Sequence, residues 1–316
     1  MKKILFYSMA LAAMTLASCS SDDNQGATEN NAKAGFSAII VGQPQTRAYD
    51  MSWENGDAIG ITGTTGGTTY TNVKYATANG DGNFAVATAG SDIYYQDNNA
   101  VTFTAYYPWN DIPANTITAD TWAQADQKSF DFLWSQASGS KANPNVAFTF
   151  AHKMAKVVIT IRKGADVSFD EVKAAKLSLD GFLHEGTFDV STGAAAASGN
   201  ASVMWQFAGN TTKTSYNAPL ATNTTAETVA YTLIMFPQEF AAILPLTAEL
   251  TGMQSFSTNL DFTTANTNAG DAAAKNEWVA GRQYNINVTL NKTSITVNGC
   301  TISQWENADG GNFDAE

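Results

Sequence analysis

Residues Phe36–Trp53 read FSAIIVGQPQTRAYDMSW. The stretch opens on an apolar run, Phe36–Val41, then passes through a polar turn around Pro44 to one basic residue, Arg47. Phe36, Ala38 and Ile40 alternate onto one face of a strand, and Ile39 and Val41 onto the other. Apolar residues on both faces predict a strand buried inside a sandwich rather than a half-wet edge. A buried opening strand followed by a cleavable bond is an unusual combination. A cut between Arg47 and Ala48 would remove the strand and open a groove.

The rest of the chain fits that reading. Its 316 residues suggest two domains, at roughly 150 residues each. Hydrophobic content of 44% supports real cores, while charged content is only 15%. Gly, Ala, Ser, Thr and Asn are abundant and helix-forming runs are scarce, which points to an all-β extracellular protein. The net charge of −12 argues against nucleic acid and against an electrostatic membrane patch. Of the two cysteines, Cys19 and Cys300, the second reads as a small buried hydrophobe, so neither a disulfide nor a cysteine-rich zinc site is expected.

Lys2 and Lys3 precede an apolar segment, Ile4–Leu16, too short to span a bilayer. It ends in Leu16-Ala17-Ser18-Cys19, which resembles the bacterial lipoprotein box. That resemblance implies a signal peptide over residues 1–18, cleavage before Cys19 and acylation of Cys19, palmitate included. Removing residues 1–18 takes away two lysines and no acids, leaving 15 basic against 29 acidic residues, or −14. Acyl chains anchor by burial, about 0.8 kcal/mol per CH₂. Residues 19–35 form a polar tether, whose acidic start Ser20–Gln25 resembles the surface-export signal of lipoproteins in the Bacteroidetes.

Strands are predicted at Ala58–Thr62, Thr68–Tyr75, Gly82–Ala87 and Val101–Pro108, with Asn79-Gly80-Asp81-Gly82 as a hairpin turn rather than a calcium loop. Val101, Phe103, Ala105 and Tyr107 alternate towards a core. Lys128–Trp134 reads as a short strand and Ser135–Asn145 as a linker or long loop, so one domain covers 36–145 and a second 146–316. In the second domain Ala155, Val157, Ile159 and Ile161 share a face. Val172–Leu179, Val203–Phe207, Val229–Phe236 and Phe240–Leu250 add strands. Tyr284, Ile286, Val288 and Leu290 alternate with Asn285, Asn287 and Thr289 in the sharpest half-buried strand of the chain.

The lipoprotein box, Thr46-Arg47-Ala48, Trp53–Ile61, Ile93-Tyr94, Val101–Trp109, Phe148–Ile161, Trp278–Leu290 and Ile302-Ser303-Gln304-Trp305 together resemble the fimbrillin-like lipoproteins of the Bacteroidetes, the building blocks of type V pili. The resemblance spans nearly the whole mature chain and rests on the order and spacing of short motifs. It implies two tandem transthyretin-like β-sandwich domains with a C-terminal strand extension. It also implies a lipid-anchored precursor at the outer membrane, trimmed by a trypsin-like protease after an arginine that corresponds to Arg47. The groove left by Phe36, Ala38, Ile39, Ile40 and Val41 would then be filled by a neighbouring subunit's tail, by donor-strand exchange, in a fimbrium that supports cell adhesion. Partners would be other copies or related pilus subunits, and host or bacterial surface glycans or proteins, without nucleic acid or cofactor. The product beginning at Ala48 would carry 13 basic and 26 acidic residues, or −13.

The donor candidates are Ile295, Val297, Cys300 and Ile302, alternating with polar residues in Thr293–Trp305. Asn298-Gly299 between the two limbs predicts a type I′ hairpin, which reads equally as the closure of its own domain or as a segment that swings out. A different function class is a lipid-anchored surface adhesin that never polymerises and binds glycans through aromatic rings; Trp109, Trp122 and Trp134 lie near strand or loop ends, although aromatics in sandwiches usually belong to cores. An enzyme is disfavoured. Neither His152 nor His184 has metal-ligand spacing or a nucleophile motif nearby, so no catalytic or metal residues are assigned, and scattered carboxylates alone leave a glycosidase pair open. His152 reads as a polar residue at a strand start.

Overall fold

The structure, a computed structural model, describes residues 31–41, 52–112, 114–201, 204–209, 218–252, 255–270 and 275–305. The described residues cluster as one compact unit.

The chain begins with β1 (Ala32–Lys33) and β2 (Gly35–Ile40), followed by β3 (Ala58–Thr65), β4 (Thr68–Ala76), β5 (Asn83–Val86), β6 (Tyr94–Tyr95) and β7 (Val101–Tyr107). Next come β8 (Thr116–Asp120), a 3₁₀ turn at Gln124–Ser129, β9 (Leu133–Gly139) and β10 (Asn145–His152). Strands β10, β2, β5, β4, β3, β7 and β9 close into a barrel in that order. Where a sandwich was expected, closure gives β2 a neighbour on each side: parallel to β10 over Gly35–Ile40 and antiparallel to β5 at Phe36 and Ser37. The inside is filled by Phe36, Ile59, Ile61, Tyr75, Phe103, Val146, Phe148 and Phe150, all buried. As predicted, Val101, Phe103, Ala105 and Tyr107 point inward, and Asn79–Gly82 turns the chain between β4 and β5. Asp81 closes that turn by accepting from the Asn83 amide at 3.0 Å and the Thr77 hydroxyl at 3.2 Å.

Two predicted features around the middle of the chain are different. Lys128–Trp134 is not one strand, because its first half lies in the 3₁₀ turn. Ser135–Gly139 is not a linker but the body of β9, paired with β7 from Val101 to Tyr107. Its small polar residues read as loop, yet small side chains suit a ladder whose outer face is solvated. β10 belongs to the barrel: Val146, Phe148 and Phe150 join the barrel core, and Ala155 and Val157 the core of the second half.

The second half contains β11 (Ala155–Lys163), α1 (Phe169–Ala174), β12 (Lys176–Leu179), β13 (Leu183–Asp189), β14 (Ala194–Ala201), β15 (Trp205–Ala208) and β16 (Leu220–Asn223). It continues through β17 (Thr228–Met235), β18 (Gln238–Glu239), β19 (Leu244–Glu249), β20 (Ser255–Leu260), α2 (Thr263–Asn268), β21 (Glu277–Trp278), β22 (Arg282–Asn291) and β23 (Ser294–Gln304). A five-stranded sheet, β16-β17-β11-β22-β23, and a four-stranded sheet, β15-β12-β19-β20, share one core. Val157, Ile159, Tyr284 and Ile286 enter it from one side, Leu177, Trp205, Phe207 and Leu246 from the other. The strand predicted at Val172–Leu179 begins only at Lys176. Ser168 caps α1 before it, accepting from the Glu171 amide at 3.2 Å while Glu171 accepts the Ser168 amide at 2.8 Å.

A third apolar cluster joins the two. Tyr106 of β7, Ile117 of β8, Phe132, Phe188 of β13, Ile234, Phe236 and Trp305 form it, with Phe132 stacked on Phe188 at 4.6 Å. It is roofed by a three-stranded sheet, β14-β13-β8, in which a strand that follows the barrel's β7 pairs with the second half.

Candidate functional site

Strand β2 is an integral stave of the barrel. Phe36, Ala38 and Ile40 are each about 5% exposed or less. The Phe36 ring meets Tyr75 edge-on at 4.9 Å and Phe103 at 5.4 Å, and stacks against Phe148 at 5.9 Å. Burial of a side chain of this size contributes about 1.5–3 kcal/mol, before the aromatic contacts are counted. Backbone bonds continue past the ladder: Ala38 N–H donates to Gly82 O at 2.8 Å and Val41 N–H to Phe150 O at 2.7 Å. Gly82, at φ +77°, comes so close that a Cβ would lie 2.3 Å from the Ala38 oxygen. Only glycine combines that backbone conformation with that approach.

The other face of β2 departs from expectation. Ile39 is 54% exposed and Val41 half-buried. The strand is therefore buried on one face only, because a barrel wall shows its alternate residues to solvent. The apolar pattern on both sides suggested a sandwiched strand; Ile39 is simply an exposed isoleucine.

Trp53 locks β2 from beyond residues 42–51. It sits edge-on to Phe84 at 5.1 Å, Tyr107 at 5.4 Å and Phe150 at 5.4 Å, and its indole N–H donates to the Ala38 oxygen at 2.8 Å. Sequence reasoning did not single out this tryptophan; the signal available was its place immediately after a polar segment and before Asn55-Gly56. A cavity of about 490 Å³ opens beside Ile40 and Trp53, with Asp57, Lys128, Asp131 and Lys156 on its wall. Tyr107 donates to Asp57 at 3.1 Å, and both burial and the neighbouring carboxylate raise the phenol's pKa. Burial works against the Lys128 charge, but its bonds to Asp57 and Glu54 outweigh that and raise its pKa. Cys19, Arg47 and Ala48 lie outside the described residues.

The C-terminal strand is tucked. β23 pairs antiparallel with β22 from Ser294↔Asn291 to Gln304↔Arg282, at the edge of the five-stranded sheet. The hairpin turn is at Lys292-Thr293, not at Asn298-Gly299. Gly299 does not take the positive φ that a type I′ turn needs, and the strand runs straight through. The Asn-Gly pair instead marks a slip in register, where Val288 opposes Val297 and Asn287 opposes Gly299. Asn298 accepts a bond from the Thr289 hydroxyl at 2.7 Å across the slip. Ile295 is buried, while Val297, Cys300 and Ile302 are half-buried and pack against the second core. Burial pushes the Cys300 thiol up to about 12.

The end of the strand is pinned by a cluster that the sequence did not reveal. His152 is buried at the end of β10, not at a strand start, with Nδ1 2.8 Å from Asp131 Oδ1. The Trp305 ring lies flat on the imidazole, 3.8 Å between centroids and 9° between planes, and the Trp305 backbone N–H donates to Gly281 O at 2.7 Å. No local pattern joins residues 131, 152 and 305; only the fold does.

The tryptophans considered for glycan stacking are partly covered. Lys74 Nζ lies 4.2 Å from the Trp109 ring centroid and Lys153 Nζ 5.3 Å from that of Trp134, whose indole N–H donates to Val190 O. Trp122 packs edge-on against His184.

Comparison with known proteins places this geometry among fimbrial chains. The fimbrillin-like family model matches residues 46–305. A Bacteroides uniformis protein provisionally named fimbrium subunit Fim1C is 30% identical over 327 residues, covering 98% of each chain. A crystal structure from Bacteroides uniformis, provisionally described as a cell adhesion protein, superposes with a TM-score of 0.65 at 26% identity, over 89% of this chain and 100% of that one. A Bacteroides ovatus structure of the same description gives a TM-score of 0.68 at 22% identity, with the same coverage, and shows the shared fold.

Proposed function

The chain belongs to the fimbrillin-like family, and from that premise we propose that it is a pilus subunit that polymerises by replacing β2 with a strand from another copy or a related subunit. Membership makes it a surface-associated fimbrial and adhesion protein of the outer-membrane class, in a family that is non-catalytic. The finer steps are proposed. Cys19 is lipidated and anchors the precursor to the outer membrane after removal of residues 1–18. A trypsin-like protease then cuts between Arg47 and Ala48, which severs both the lipid anchor and β2. The two cores correspond to tandem transthyretin-like domains, the first closed into a barrel by the strand that is to be lost. The fibre supports adhesion to surface glycans or proteins.

One observation carries this reading: Phe36, Ala38 and Ile40 fill the barrel from a strand bonded on both sides, on the N-terminal side of Arg47. Excising such a strand exposes the β10 edge from Asn145 to Phe150 and an apolar floor. An incoming extended segment would regain a main-chain ladder and place alternate side chains in the vacated positions. Ile295 and Val297 form one alternating limb and Cys300 and Ile302 a second beyond the slip at Asn298-Gly299, and these two limbs would supply the side chains once β23 leaves β22.

The tucked position of β23 favours a second reading, in which the chain remains a lipid-anchored adhesin and never polymerises. Trypsin treatment of the purified chain separates the two. Polymerisation predicts one product beginning at Ala48 that forms ladders on mildly denaturing gels. A product that stays monomeric, together with glycan-array binding by the intact chain, selects the adhesin.

A further inference from the structure

We propose that Asp120, His184 and Glu185 form a binding site for a divalent transition-metal ion of the zinc class. The site lies on the β8–β13 pair, on neither β2 nor β23, and does not rest on strand replacement.

Asp120 at the end of β8 is directly opposite Glu185 of β13, and both side chains are exposed. Two carboxylates facing each other across antiparallel strands disfavour the pairing, and Asp120 also accepts the Trp122 amide at 2.8 Å. His184 supplies a third donor. It sits where the β13–β14 register slips between Leu183 and Glu185, an irregularity of the kind that re-aims a side chain. Its Nδ1 stands 2.8 Å from Asp120 Oδ1, and one ligand atom from each of the three residues lies within 4.8 Å of the other two.

The donors are held by their surroundings. The imidazole rests edge-on against Trp122 at 4.7 Å. Thr121 donates to the His184 carbonyl from its amide at 2.8 Å and its hydroxyl at 2.9 Å, which fixes the strand crossing beside the ligands. A tetrahedral zinc ion with bonds of about 2.0–2.2 Å keeps its ligands roughly 3.3 Å apart. The His184–Asp120 pair must open by about half an ångström and Glu185 must close in, both within side-chain rotation. One imidazole nitrogen with two carboxylates suits zinc and its neighbours. Calcium and magnesium instead prefer oxygen-only shells of higher coordination. Three protein ligands leave one position for water.

Asp120 and His184 are 64 residues apart, which is why neither shows ligand spacing in the sequence. A bound ion would clamp β8 to β13 within the sheet that roofs the junction cluster.

The test is calorimetric titration of the purified, chelator-stripped full chain, carrying Cys19→Ser, with zinc chloride. The expected result is one saturable site with Kd of about 1–100 μM and a melting temperature that rises with zinc. His184→Ala, Asp120→Asn and Glu185→Gln should each weaken binding at least about tenfold, with far-ultraviolet circular dichroism unchanged. Should His184→Ala melt early without metal, the exposed Glu185→Gln decides alone. Absence of saturable heat below about 1 mM, affinity unchanged in these variants, or calcium binding as tightly as zinc would each overturn the assignment.

Discussion

Trp53 donates its indole N–H to the carbonyl oxygen of Ala38 at 2.8 Å, so the residues on either side of 42–51 are bonded to each other in the barrel wall. A cut after Arg47 leaves Trp53 on the retained fragment and Ala38 on the departing one. Nicking alone therefore leaves the wall assembled, but makes the hold on β2 bimolecular. The nicked chain should release residues up to Arg47 at a lower urea concentration than the one that unfolds the remainder. Trp53 emission should move to longer wavelength in that first step. Trp53→Phe should remove most of that early spectral change; a single coincident transition in the nicked wild type would refute the expectation.

The one-sided burial of β2 makes a sharp contrast within three residues. Phe36→Ala removes a ring packed against Tyr75, Phe103 and Phe148, and should cost about 3–5 kcal/mol in equilibrium unfolding. Ile39→Ser alters an exposed side chain and should lie within about 0.5 kcal/mol of wild type. Comparable losses at both positions would mean that β2 is covered on its outer face as well.

The sequence disclosed the strands whose period is clean. Val101–Tyr107, Ala155–Ile161 and Tyr284–Leu290 are half-buried or buried as their alternation requires. It was less informative where residue type and role part company. Val172 suggested a strand, but Ser168 and Glu171, three apart, form a capping box that starts a helix there. Asn298-Gly299 suggested a turn, but the ladder absorbs it as a slip. Ile39 suggested a second buried face, although closure into a barrel leaves it outside. Strand β2 could be placed from its own residues. The contacts that hold the tail could not, because Asp131, His152 and Trp305 meet only after both halves are built.

Those contacts imply that the tail is fastened at its far end. Trp305→Ala removes a buried ring stacked on His152 at 3.8 Å and should free the end of β23 before the rest of the sheet. In hydrogen exchange the amides of Cys300–Gln304 should lose protection by at least about tenfold, equivalent to 1.4 kcal/mol of local opening. Those of β11 should change little. Equal loss across the five-stranded sheet would show that the ring supports the core generally rather than the tail.

Cys300 offers a chemical readout of the same event. Opposite Ile286 in the β22–β23 ladder, its thiol is raised by burial from 9.0 to about 12. At pH 8 it stays protonated in the folded chain, and since the thiolate is the nucleophile, it should resist alkylation. In a chain with Cys19→Ser, iodoacetamide should label Cys300 slowly until β23 leaves β22, and faster in the Trp305→Ala variant. The same shift sets a sign for stability. Between pH 9 and 12 the unfolded thiol loses its proton while the folded one keeps it, so the unfolded state binds fewer protons and stability falls as pH rises through that window. Below pH 9 this contribution is fully present. Melting curves of the chain and of its Cys300→Ala variant should therefore converge as pH rises through the window. Rapid labelling of the intact fold at pH 8 would show that the tail is already displaced in solution.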